Sequence, residues 1–188
     1  MYEYLGKRVF DITFASAGLL VLSPLLALTG ICIWLEDRQF FLFLQVRVGR
    51  DGVPFTLWKF RSMPVGTPNV PSAHMAALTT TRIGSLIRRV SFDEMPQLAN
   101  VIRGDMSLVG PRPALPAQVE LLLLRKETGA SRLRPGLTGL AQVRSYTGMS
   151  DEAKAAHDGE YSMSVSLVND LRILVKTAAY LLTPPPKY

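Results

Sequence analysis

Between Arg88 and Pro113 the chain reads RRVSFDEMPQLANVIRGDMSLVGPRP, a stretch dense in acids, arginines and turn residues. The adjacent acids Asp93 and Glu94 are the side chains best suited to chemistry. Carboxylate oxygens in a first helical turn, preceded by Arg88 and Arg89, can hold a hard divalent cation such as Mg²⁺ beside a phosphate. Phosphoryl chemistry is therefore one reading. Two plainer ones stand beside it: adjacent acids are commonly a solvated helix face, and Ser91-x-x-Glu94 fits a capping box, with Ser91 capping the helix and Glu94 reaching back to its N–H. The capping box leaves Asp93 without a role. His74 and His157 are isolated, and the single cysteine, Cys32, excludes an intrachain disulfide and a Cys-based metal site.

The elements that position these acids begin with an apolar segment. Ile12 to Leu35 is a run of 24 residues without a charge, long enough for a helix of roughly 36 Å. Pro24 removes the hydrogen bond its N–H would give to the carbonyl of Leu20 and biases Ser23 away from helical geometry. Lys7 and Arg8 flank one end, and Arg38, Arg47, Arg50, Lys59 and Arg61 follow the other, so both flanks carry the basic signature of a cytoplasmic side. A kinked span and a re-entrant helix broken at Ser23-Pro24 both fit. In the re-entrant case the Ser23 hydroxyl or a neighbouring element covers the freed carbonyl. The apolar core exceeds a signal-peptide core and no small-x-small site follows it, so the segment is expected to be retained.

Beyond Trp34 the sequence predicts a hairpin around Arg50-Asp51-Gly52 and a loop over Pro64–Ala73. A basic amphipathic helix is expected over Thr80–Val90, where Ile83, Leu86, Ile87 and Val90 recur at helical spacing. Further helices are predicted over Met95–Ile102, Ala114–Glu127, Glu152–Tyr161 and Leu167–Leu182. The last is apolar over much of its circumference, suiting either core packing or the headgroup layer, and Pro184–Pro186 stop it. At 188 residues, with 48% hydrophobic side chains and net charge +6, one compact unit with an anionic partner is expected. The uncharged run argues against a nucleic-acid binder, while a non-catalytic basic membrane-surface protein remains the alternative from another class.

Ordered motifs along nearly the whole chain resemble the bacterial sugar transferases, specifically the monotopic phosphoglycosyl transferases. They are Lys7-Arg8, Asp11, Ser23-Pro24, Gln45-x-Arg47-x-Gly49, KFRSM (Lys59–Met63), Ile83-Gly84, Arg88, SFDEMPQL (Ser91–Leu98) and Asn100-Val101. The series continues with GDMSLVGPRP (Gly104–Pro113), RPGLTGLAQV (Arg134–Val143), Asp158-x-x-Tyr161 and Asp170-Leu171-Arg172-Ile173. The resemblance implies a mostly α fold with a small β-hairpin: a re-entrant membrane helix over residues 1–36, then a cytoplasmic catalytic domain over 37–188 with interfacial amphipathic helices. It implies a monotopic enzyme at the cytoplasmic face of the bacterial inner membrane that moves a sugar 1-phosphate from a UDP-sugar to a polyprenyl phosphate such as undecaprenyl phosphate. Asp93 would attack the sugar-linked phosphate, UMP would leave, and the lipid phosphate would take up the aspartyl-bound phospho-sugar. Mg²⁺ on Asp93 and Glu94 would offset the donor's charge.

By the same resemblance Arg88 grips a phosphate, Arg112 serves the nucleotide, and Lys59 and Arg61 contribute to substrate binding, though each arginine also has a structural reading. Asp158 and Tyr161 resemble a pair near the active site, against the plainer reading of a helix-surface acid and a packed aromatic. A second copy of the chain and the glycosyltransferases of the same pathway are the protein partners it allows. One departure stands out. Many relatives carry Asn-Gly-Arg-Asn after Ala-Gln-Val, whereas here Arg144-Ser145-Tyr146-Thr147 follows, with Tyr146 in place of the arginine and Arg144 as a substitute. That change bears on the sugar rather than on the reaction class.

Overall fold

The computed structural model describes residues 2–67, 80–144 and 148–182. Most of the Pro64–Ala73 loop, His74, Ser145 to Thr147 and Pro184–Pro186 lie outside the described residues. Helix α1 (Lys7–Asp37) is followed by an antiparallel hairpin of β1 (Leu42–Val48) and β2 (Pro54–Phe60). Asp51 (φ 54°) and Gly52 (φ 82°) take the left-handed conformations that turn the chain there, as an Asp-Gly pair favours.

Helix α1 corrects one expectation. Its helical pattern continues through Ser23 and Pro24 without a break. The carbonyl that Pro24 cannot serve is taken by the Ser23 hydroxyl, which donates to Leu20 O at 2.8 Å, so the orphaned acceptor is satisfied locally. The helix ends at Arg38, in the left-handed conformation (φ 58°).

Helix α2 (Arg82–Arg89) is capped by Thr81, whose hydroxyl accepts from Gly84 N at 2.9 Å. A 3₁₀ turn, Phe92–Glu94, separates it from α3 (Gln97–Arg103). The capping box is not formed: Ser91 lies at φ 53°, makes no side-chain cap, and Glu94 turns its carboxylate elsewhere. A non-glycine residue in that conformation is strained, by about 1–2 kcal/mol. The expected helix over Ala114–Glu127 is shortened to α4 (Val119–Glu127). Ala114 instead bridges Val48 in β1, and Pro116 disfavours helix at the residue before it.

The motifs around Gly110 and Gly136 form an element that hydrophobic periodicity did not reveal, a parallel pair of β3 (Ser107–Val109) and β4 (Gly136–Thr138). A Cβ on Gly136 would lie 2.1 Å from Gly110 N, so the two backbones meet only because both residues lack one. Short α5 (Leu140–Arg144), α6 (Asp151–Met163) and α7 (Leu167–Leu182) complete the chain.

The main core joins Ala15 of α1, Leu57 of β2, Leu98 and Val101 of α3, Met106, Leu108, Val109, Tyr161 and Ile173. Burial of these side chains contributes roughly 1.5–3 kcal/mol for each large one. Asn100, fully buried, fastens α3 to the hairpin: its Oδ1 accepts from Trp58 N at 3.0 Å and its Nδ2 donates to Thr56 O at 2.8 Å. A second cluster of Ile33, Phe60 and Ile87, with Phe41 and Phe92 against it, packs the far end of α1 on the hairpin and α2.

Candidate active site

The acid pair is held by the turn between α2 and α3, anchored by Phe92, whose ring stacks on Phe60 with centroids 6.3 Å apart. Asp93 is 7% exposed. Burial lifts its carboxyl to about 6, reinforced by the charge of Glu94 and opposed by Lys59, Arg88 and Arg112. Among the described residues no hydrogen bond is made to the Asp93 carboxylate. Glu94 differs. Burial works to raise its carboxyl too, but Arg112 at 2.8 Å, Lys59 and Arg47 together hold it below the usual range. The two acids are thus pushed apart: Glu94 is a fixed anion, while Asp93 carries a reluctant charge.

Four cations from four elements surround them: Arg47 of β1, Lys59 of β2, Arg88 at the end of α2 and Arg112 after β3. Burial lowers Lys59, against the pull of Glu94 and Asp93. It also lowers Arg47 to about 10. Arg47 donates to Gln45 Oε1 at 2.6 Å and to Pro113 O at 3.0 Å, joining the hairpin to the Pro-Arg-Pro segment. With four positive groups on two acids the site favours an anion.

The residues expected at the site separate into two groups. Asp93, Glu94, Lys59, Arg88 and Arg112 converge. Asp158 does not join them directly: it forms a buried ion pair with Arg125 at 2.7 Å, and Arg125 in turn donates to Arg112 O at 2.9 Å. It acts on the site through the backbone of Arg112. Tyr161 is a core residue whose hydroxyl donates to Asp170 Oδ1 at 2.6 Å. Arg144 pairs on the exposed side of α6, with its Nη2 2.6 Å from Glu160 Oε1. Arg61 reaches no acid among the described residues, and its Nε is buried without a partner there.

Arg47 and Arg125 were not singled out as site residues. The signal for Arg47 existed: Gln45 faces Leu57, Arg47 faces Phe55 and Phe43 faces Lys59 across the hairpin, so period-2 alternation puts Gln45, Arg47 and Lys59 on one face. For Arg125, at the end of a run of leucines, periodicity gives no such sign.

A pair of acids suits a cation shared with a substrate, since Mg²⁺ commonly takes one or two carboxylates and completes its shell with phosphate and water. No group of three or more His, Cys, Asp or Glu able to enclose a metal occurs among the described residues. A Mg²⁺ ion here would have Asp93 and Glu94 as its protein ligands and would take the rest of its shell from substrate and water.

Comparison with known proteins identifies the family. The chain is 41% identical over 193 residues to a UDP-glucose:undecaprenyl-phosphate glucose-1-phosphate transferase of Caulobacter vibrioides, spanning 98% of this chain and 72% of that protein. It is 36% identical to an Escherichia coli protein of the same name, over 91% of this chain and 39% of the longer relative. An Aeromonas hydrophila UDP-N-acetylgalactosamine-undecaprenyl-phosphate N-acetylgalactosaminephosphotransferase is 37% identical, over 94% of this chain and 44% of its own length. Since the family model for bacterial sugar transferases also matches from residue 2 to residue 184, through every element that builds the acid site, the chain belongs to the bacterial sugar transferase family.

Proposed function

We propose that this protein transfers a sugar 1-phosphate from a UDP-sugar to a polyprenyl phosphate, undecaprenyl phosphate in bacteria, as a membrane step in glycan or exopolysaccharide assembly. The observation that carries the reading is the asymmetry of the acid pair. Asp93 is buried, unpaired among the described residues and faced by cations, whereas Glu94 is committed to Arg112. An oxygen of the Asp93 carboxylate attacks the phosphorus that bears the sugar, the bond from that phosphorus to the UMP oxygen breaks, and UMP departs with its electron pair. The acceptor's phosphate oxygen then attacks the aspartyl-bound phosphorus, restoring the carboxylate and giving the polyprenyl diphospho-sugar. When bound, Mg²⁺ supplies charge neutralisation on the donor diphosphate, with Asp93 and Glu94 as its protein ligands.

The chain's own cations do the rest. Arg88, Lys59 and Arg112 hold phosphate oxygens against the acid, and the Arg125–Asp158 pair keeps the Arg112 backbone in place. Asp93 remains ionised at neutral pH. Relatives of comparable identity are named for glucose and for N-acetylgalactosamine, so the donor sugar is to be found by a panel of UDP-sugars. The long apolar helix α1 supports membrane association, and its basic flanks favour the cytoplasmic face of the inner membrane in this reading.

The test is intact-protein mass spectrometry after exposure to a UDP-sugar panel and Mg²⁺ without lipid. The native chain should gain one sugar-phosphate and release one UMP, while Asp93→Asn should gain nothing and still bind donor. An adduct that forms equally on Asp93→Asn would show that another residue is the nucleophile.

A further inference from the structure

Beside the acid pair, between α5 and α7, lies a cavity of about 250 Å³ whose wall is almost wholly apolar. Glu94 and Arg112 of the acid site line it together with Leu137, Val143, Leu174 and Gln142. Its two threonines, Thr138 and Thr177, are 2.7 Å apart and satisfy one another, so they turn no unpaired hydroxyl into the space. Ala178 of α7 lines it and is exposed, so the cavity opens along that helix.

We propose that this cavity receives the leading isoprene units of the acceptor lipid, with the lipid phosphate beside Glu94 and Arg112. The inference rests on the transferase reading above and adds to it the place of the acceptor. Charge selects the orientation: Arg112, one of the cations that face Asp93 and Glu94, lines the cavity together with Glu94, and the exposed wall is otherwise mostly apolar. Size selects the portion bound. The volume falls short of the ~300–1,000 Å³ that encloses a whole drug-sized ligand, so it takes the head of a long chain and leaves the tail outside. Helix geometry gives that tail a path. Leu174, Thr177 and Ala178 follow the i, i+3, i+4 spacing toward the cavity, while Val168, Leu171 and Val175 leave an apolar face exposed on the same helix.

The experiment uses the full chain in lipid nanodiscs with the UDP-sugar that yields the adduct and with undecaprenyl phosphate. Filling the cavity with Leu174→Phe or Ala178→Phe should raise the KM for undecaprenyl phosphate by roughly tenfold and shift the KM for the UDP-sugar less than about twofold. A rise confined to the UDP-sugar KM would assign the cavity to the donor and overturn the proposal, as would unchanged constants at an unchanged melting temperature. Should both variants unfold, a diazirine-bearing prenyl phosphate on the native chain decides: crosslinks at residues 137–143 and 171–178 support it, and crosslinks confined to α1 refute it. If no UDP-sugar yields an adduct, the transferase reading falls. The crosslink still reports separately on the cavity.

Discussion

Asp93 is kept in a setting that opposes its charge. Its carboxyl at about 6 lies above the ordinary value of 3.8, so the folded protein holds this proton more tightly than the unfolded chain does. The contribution to stability is full below the unfolded value, declines as pH rises through about 6, and above that the anion is carried at a cost. Asp93→Asn removes the charge and keeps the shape, so it should raise the melting temperature at pH 7.5, with the gain vanishing at pH 4, while abolishing transfer. A melting temperature unchanged at pH 7.5 would mean that the surrounding cations already cancel the desolvation. In the native protein the first half-reaction should fall off as pH drops below about 6, not near 4, read as the initial rate of UMP release. The acid pair and its cations were legible as residue types in the sequence. What was not legible was their division of labour: the capping box gave Glu94 to Ser91, but the left-handed Ser91 and a guanidinium from another element took it to Arg112. Such partners depend on where β3 ends, and no local spacing reports that.

The elements were read well where the local signal was strong, from the Asp-Gly turn in the hairpin and from apolar spacing in α2 and α7. They were missed where a close approach of two glycines replaced a hydrophobic pattern, as in the β3–β4 pair, and where α5 spans only Leu140–Arg144. Contacts between elements were the hardest to foresee. Glu36, on the last turn of α1, accepts from Arg82 N at 2.7 Å and Ile83 N at 3.1 Å, so an acid from the apolar helix caps the element that carries Arg88. Exposed caps of this kind contribute about 1 kcal/mol. Glu36→Ala should therefore lower the melting temperature by roughly 2–4 °C. It should also raise the KM for the UDP-sugar, because Arg88 is freed with the helix. A loss of stability with an unchanged KM would confine Glu36 to a structural role.

At the scale of the whole molecule, the two ends of α1 are fastened to one body. Near its start, Arg8 donates to Val101 O at 2.6 Å and Ile102 O at 2.7 Å, and Asp11 accepts from Leu108 N at 3.1 Å. Near its end, Glu36 caps α2 and Gly30 packs against Phe41. Between these anchors Leu20, Val21, Leu25 and Leu28 stand exposed, which is the apolar face a membrane would cover. A helix crossing a hydrocarbon core of roughly 30 Å puts its ends in different compartments. A polar body bonded to both ends cannot follow it without being drawn into lipid. We therefore expect both ends of α1 to lie on the same side of the membrane. With Cys32→Ser removing the native thiol, single cysteines at Glu3→Cys and Gln39→Cys should both resist an impermeant maleimide in intact cells and both react once the inner membrane is permeabilised. Reaction of one position but not the other from outside would make α1 a span, and the hydrogen bonds of Arg8 and Glu36 to one body could not then coexist.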